Sequence, residues 1–231
     1  MNTHSYPSAT SVYASGIAQE RNRVLRNTYW LLSLSMIPTV LGAWFGVASG
    51  IASMMSSGVG LVVFLAGSFG FMYAIEKTKN SAAGVPVLLA FTFFMGVMLS
   101  RLIGSVLCLS NGASLIMMAF AGTGGVFLAM ASLSTVIKRD WSSMGKFLFI
   151  GMIMLLVAGI ANFFIQSSAL MITLSVLAIG IFSAFILYDL KRVQDGEETN
   201  YISATLGVYL SLYNVFQSLL ALLGVVGGRD E

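Results

Sequence analysis

Seven stretches of roughly 20 mainly apolar residues follow one another along this chain, at 29–48, 56–75, 85–107, 114–136, 147–165, 169–188 and 206–226. A helix rises about 1.5 Å per residue and bilayer hydrocarbon is about 30 Å thick, so each stretch is long enough to cross a membrane once. The connections are short and leave no room for a second domain. With 57% hydrophobic and 9% charged residues, the chain is too apolar to keep the surface of a soluble globule wet. These features predict an all-α integral membrane protein, a seven-transmembrane-helix bundle. Residues 1–26 are polar, rich in Ser, Thr and Tyr, and read as a flexible cytoplasmic tail before the bundle at 27–231. The first apolar run exceeds the core of about 7 to 15 residues that a secretory signal peptide carries, so no cleaved leader is expected.

The net charge of +3 does not point to nucleic acid, because the basic residues stand singly or in pairs between apolar runs and form no phosphate-binding face. Their distribution reports orientation instead. Counted on the side of the N-terminus are Arg21, Arg23 and Arg26, then Lys77 and Lys79, then Lys138, Arg139 and Lys146, then Lys191 and Arg192. The opposite loops, near Gly50, Ser110 and Ser167, hold none. Lys and Arg in short loops stay on the cytoplasmic side, which places the N-terminus inside and, after seven crossings, the C-terminus in the periplasm.

Cys108 is the only cysteine and cannot close an intramolecular bridge. The only histidine, His4, lies in the polar tail, so an imidazole-ligated zinc site or a Ser/His pair within the membrane lacks its residues. An intramembrane aspartyl protease needs two facing carboxylates, and Asp195 belongs to a hydrophilic loop, not a span. The reading is non-enzymatic, with no cofactor and no metal. Gly42, Gly46 and Gly50 recur every four residues and would let another helix approach the first span closely.

Ionisable groups inside a bilayer cost about 2.5 to 3.5 kcal/mol at mid-depth, so each one calls for an explanation. Arg101 lies six residues before the outer end of the third span, about 9 Å of helix, and reaches the interface by snorkelling. Asp189, at the inner end of the sixth span, has Arg192 three residues on, a spacing that permits a helical ion pair. Glu76 shares that depth, with Lys77 beside it to neutralise it. Arg101 and Asp189 fall in opposite leaflets and are not expected to meet. Ser211, Asn214 and Ser218 share one face of the last span, which should look toward protein or water; interhelical hydrogen bonding is its expected use, lining of a polar cavity the alternative.

Two motifs, Ile186-Leu187-Tyr188-Asp189-Leu190 and Val208-Tyr209-Leu210-Ser211-Leu212-Tyr213-Asn214-Val215-Phe216, resemble the C-terminal signature of the transmembrane Bax inhibitor motif family. Val24-Leu25-Arg26-Asn27-Thr28-Tyr29 and Gly196-Glu197-Glu198-Thr199-Asn200-Tyr201-Ile202 are similar to its YccA-like bacterial branch, and the resemblance covers the chain from Val24 onward. It implies six helices around a central C-terminal seventh. It implies two functions. The branch suggests an inner-membrane protein that binds and restrains a membrane-anchored AAA+ protease of the FtsH type, with the tail as the handle. Other family members are described as pH-sensitive calcium leak channels gated by an aspartate pair. Asp189 matches the first aspartate and Ser211 stands at the second, so the calcium-leak alternative is weakened for this chain, with Asp189, Ser211 and Asn214 as gating candidates.

Overall fold

A computed structural model of the protein describes residues 9–54, 56–137 and 144–228, with side chains from residue 19 onward except at 52 and 53. Among these residues eight helices follow in order: α1 (Ala9–Ser49), the short α2 (Ile51–Met54), α3 (Ser57–Thr78), α4 (Gly84–Leu107), α5 (Gly112–Val136), α6 (Met144–Ile165), α7 (Ser168–Asp195) and α8 (Tyr201–Gly227). Seven of them, all but α2, are long and apolar enough to cross a membrane. The seven expected spans are these seven helices.

The helix boundaries have local causes. Gly50 adopts a positive φ of 65° and ends α1. Ser56 caps α3 by accepting from the Val59 amide, and Ser167 caps α7 by accepting from Leu170. Gly196, at φ 81°, ends α7 in the left-handed conformation that costs glycine least. Four residues later the Asn200 side chain accepts from the amides of Ile202 and Ser203 and opens α8.

The beginning of α1 departs from the sequence reading. The chain is helical from Ala9, not tail-like through Arg26. From Val24 on, a buried stripe crosses the expected boundary: Val24, Thr28, Leu31 and Ser35 recur at helical spacing and are all buried. Val24 packs with Val193 of α7 and Ala204 of α8. Residues 1–8, including His4, lie outside the described residues.

The core sits where α1, α4 and α8 meet, around Leu31, Leu32, Phe91, Met95, Val208 and Tyr209. Small residues set the α1 to α4 distance. A Cβ on Gly42 would overlap the Phe93 carbonyl, one on Gly46 the Ser100 side chain, and one on Gly96 the Thr39 carbonyl. Two backbones at van der Waals distance gain dispersion that lipid cannot match, which replaces the hydrophobic drive missing inside a membrane. Gly42 and Gly46 thus serve the expected helix approach, while Gly50 serves the turn. The last helix, α8, packs against α1, α3, α4, α5 and α7, whereas α6 packs principally on α7. The exterior is apolar, with Trp30, Trp44, Phe69, Phe120, Phe147 and Phe164 exposed. Lipid is the solvent that such a surface fits.

Candidate functional site

Contacts sort the loops into two ends. At one, the Asn200 side chain donates to the Lys79 carbonyl (3.2 Å) and to Asn80 Oδ1 (2.8 Å), joining the α3–α4 turn to the start of α8. The side chain of Arg21 passes against Gly196, and the Tyr188 ring lies over Gly145 at the start of α6. This is the basic end. At the other, Gly227 and Gly228 approach Asn111 and Leu109 of the α4–α5 connection and Leu115 in the first turn of α5.

Asp189 sits at the basic end, partly buried, on the last turns of α7. Its carboxylate lies against α8 at Gly207, where a Cβ would stand 2.8 Å from Oδ2. Any other residue at 207 would fill the space the carboxylate uses. Arg192, expected to pair with Asp189, is turned toward the following loop. Its guanidinium is 3.7 Å from Glu197 Oε2 and 3.8 Å from Glu198 Oε2, and it lies 5.7 Å from the Tyr188 ring centroid. The loop supplies two carboxylates that a helix-only reading leaves out. Lys191 pairs with Asp195 at 2.7 Å. Glu76 likewise finds a different partner from the one expected: Lys79, one turn on, at 2.6 Å, while Lys77 lies over the Tyr73 ring. Neighbours in sequence project about 100° apart on a helix, so residues three or four apart meet more readily than adjacent ones.

One turn beyond Gly207, Ser211 is buried, and Asn214 is partly buried, as a face turned from lipid requires. Asn214 does not bridge helices; it donates to the Leu210 carbonyl of its own helix at 2.8 Å. The interhelical hydrogen bonds of α8 come instead from Thr205, Tyr209 and Tyr213. Thr205 Oγ1 is 3.4 Å from the Thr28 carbonyl, Tyr209 Oη is 2.9 Å from Thr39 Oγ1, and Tyr213 Oη donates to the Met95 carbonyl at 3.3 Å. These three recur every four residues, on one face, and Tyr209 and Tyr213 fall within the very motif that carried the family resemblance. The spacing was the signal that could have found them, since a buried Tyr hydroxyl nearly always takes a partner. Together they tie α8 to α1 and α4 along much of its length.

Arg101 stands at the opposite end, exposed, donating from Nη2 to Ser57 Oγ at 2.9 Å. It and Asp189 do not meet, as their depths required. The arrangement at the basic end is therefore one carboxylate held at a helix–helix seam, with Arg192 and Glu198 as charged neighbours and no second carboxylate on the facing turn of α8.

Comparison with known proteins agrees with these features. The family model described as inhibitor of apoptosis-promoting Bax1 matches residues 21–228. An uncharacterized membrane protein of Vibrio cholerae is 37% identical over 91% of this chain and 93% of its own. An uncharacterized protein of Neisseria meningitidis serogroup A is 38% identical over 91% of this chain and 94% of its own. The modulator of FtsH protease YccA of Escherichia coli K12 is 36% identical over 88% of this chain and 90% of its own. With seven membrane-length helices, the Asp189 and Tyr209 to Asn214 motifs at the α7–α8 seam, and that match, the chain belongs to the Bax1-inhibitor family of multi-pass membrane proteins.

Proposed function

We propose that this protein is a non-enzymatic protein of the bacterial inner membrane that binds an FtsH-like AAA+ protease and restrains its degradation of other membrane proteins. The observation that carries the reading is the likeness, over nearly the full length of both chains, to a protein named as a modulator of that protease. Two features support it. The α7–α8 seam presents one carboxylate where a proton-sharing pair would need two. And residues 1–26, polar and rich in Ser, Thr and Tyr, precede the first apolar run at 29–48. In this reading the N-terminus is cytoplasmic, the C-terminus periplasmic, and residues 1–15 are the segment the protease engages, since a polar end can be gripped without unpacking the bundle. Crosslinked pull-down from native membranes should co-isolate the protease, and removal of residues 1–15 should change the protein's half-life while the bundle still inserts. Failure to co-isolate the protease, with the half-life unchanged, refutes the reading.

A pH-sensitive calcium leak is the second reading, favoured by the placement of Asp189 against Gly207 on the last helix. Ser211 in place of a second acid counts against it.

A further inference from the structure

Away from the Asp189 seam, at the opposite end of the bundle, α3, α4, α6 and α8 line an open cavity of about 480 Å³. Its lining divides by chemistry. Arg101, Ser57, Gln166 and Gln217 supply polar groups, and Leu61, Phe64 and Phe163 supply apolar wall. The cavity is of the size that takes a small amphiphile or part of a larger one.

Among the described residues, Arg101 is a cation without a counter-ion. Every described acidic residue, Glu20, Glu76, Asp189, Asp195, Glu197 and Glu198, belongs to the basic end or to the α1 extension there, and none of the ion pairs they form includes Arg101. Its hydrogen bond goes to a neutral hydroxyl. A guanidinium offers five donors in a planar fork suited to phosphate, so most of its donor capacity is left for a ligand. Depth matches as well. The 24 residues of α4 span about 36 Å, some 6 Å more than the hydrocarbon, which puts the Arg101 backbone about 6 Å below the boundary and its head group at the level of lipid phosphates.

The side walls say how a ligand enters. α3 packs on α4 and α8, and α6 packs principally on α7, with no extended contact between α3 and α6. The two walls of the cavity are thus separate helices with lipid-facing exteriors, Val62 and Phe69 on one and Met154 and Phe164 on the other. A chain lying in the bilayer can pass between them.

We propose that this cavity is a binding site for one anionic phospholipid, its phosphate held by Arg101 and Ser57 with Gln166 and Gln217 beside the head group, and one acyl chain lying along Leu61, Phe64 and Phe163. The occupant is a lipid because the cavity has a lateral way in and an apolar wall that a soluble phosphate would leave unused. It is anionic because, among the described residues, no carboxylate pairs with Arg101. The site is independent of protease binding.

The test is native mass spectrometry of the delipidated full-length protein, titrated with palmitoyl-oleoyl phosphatidylglycerol or with phosphatidylcholine of the same chains. One phosphatidylglycerol should bind about tenfold more tightly than phosphatidylcholine, the difference a charge-assisted pair makes. Arg101→Gln should remove that preference, and Phe64→Trp, which crowds the apolar wall and keeps the charge, should weaken both lipids. Equal binding of the two lipids to the wild type overturns the proposal whatever the variants do. So does a preference that survives Arg101→Gln in protein whose helicity and elution volume are unchanged.

Discussion

The carboxylate of Asp189 on α7 rests against the backbone of Gly207 on α8, so close that a Cβ at 207 would stand 2.8 Å from Oδ2 and 3.1 Å from Cγ. An acidic side chain and the absence of one on the facing helix are a matched pair. Gly207→Val should therefore force the carboxylate or the helix aside and destabilise the bundle by about 1–3 kcal/mol, the usual range for overpacking. Thermal unfolding in detergent measures it. The cost should fall when Asp189→Ala accompanies it, because contacting residues are not additive. Strict additivity of the two changes would show that they do not touch.

Ser211 lies one turn from Gly207 on the same buried side of α8, about 6 Å along the axis. Two close carboxylates in a low-dielectric site repel, and one keeps its proton to higher pH than it would alone. Ser211→Asp should accordingly create a calcium flux that changes with pH, as the shared proton is lost with rising pH and the pair gains its second negative charge. Wild-type protein in dye-loaded liposomes should show little pH-dependent flux. A robust pH-dependent leak from wild type, abolished by Asp189→Asn, would make the channel reading the leading one.

The α1–α4 contact is sterically closed at Gly42, where a side chain meets backbone that cannot rotate away. Gly42→Val should cost at least about 1–3 kcal/mol in the same unfolding assay. At Gly70 on α3 an added methyl group would meet nothing within 4 Å, and Gly70→Ala should be neutral or gain a few tenths of a kcal/mol from helix propensity. Equal effects at the two positions would deny the close approach.

Orientation is checked by reporters in the loops. A reporter after Ser110 should read as periplasmic, and one near Asp140, which lies outside the described residues, as cytoplasmic, following the bias of Lys and Arg among the loops. Cytoplasmic activity at Ser110 would reverse the assignment.

The number of membrane-length helices and the place of each along the chain were legible in the sequence, because a crossing is a matter of length and apolarity and neither depends on neighbours. Separation of Arg101 from Asp189 was legible for the same reason, as helix rise alone sets their depths. The face each helix turns inward was harder to read. α3, α5 and α6 gather their few polar residues on no single face, so no polar stripe distinguishes protein from lipid. Rotation about the helix axis and the path of the loops then decide who meets whom. They bring Glu197 and Glu198 of the loop into ion pairs with Arg192. They draw α1 into the bundle ahead of its apolar run, by burying Val24 against Val193 and Ala204. And they set the Asp189 carboxylate on Gly207, a residue that only a closely packed partner helix singles out, because its use is the room it leaves.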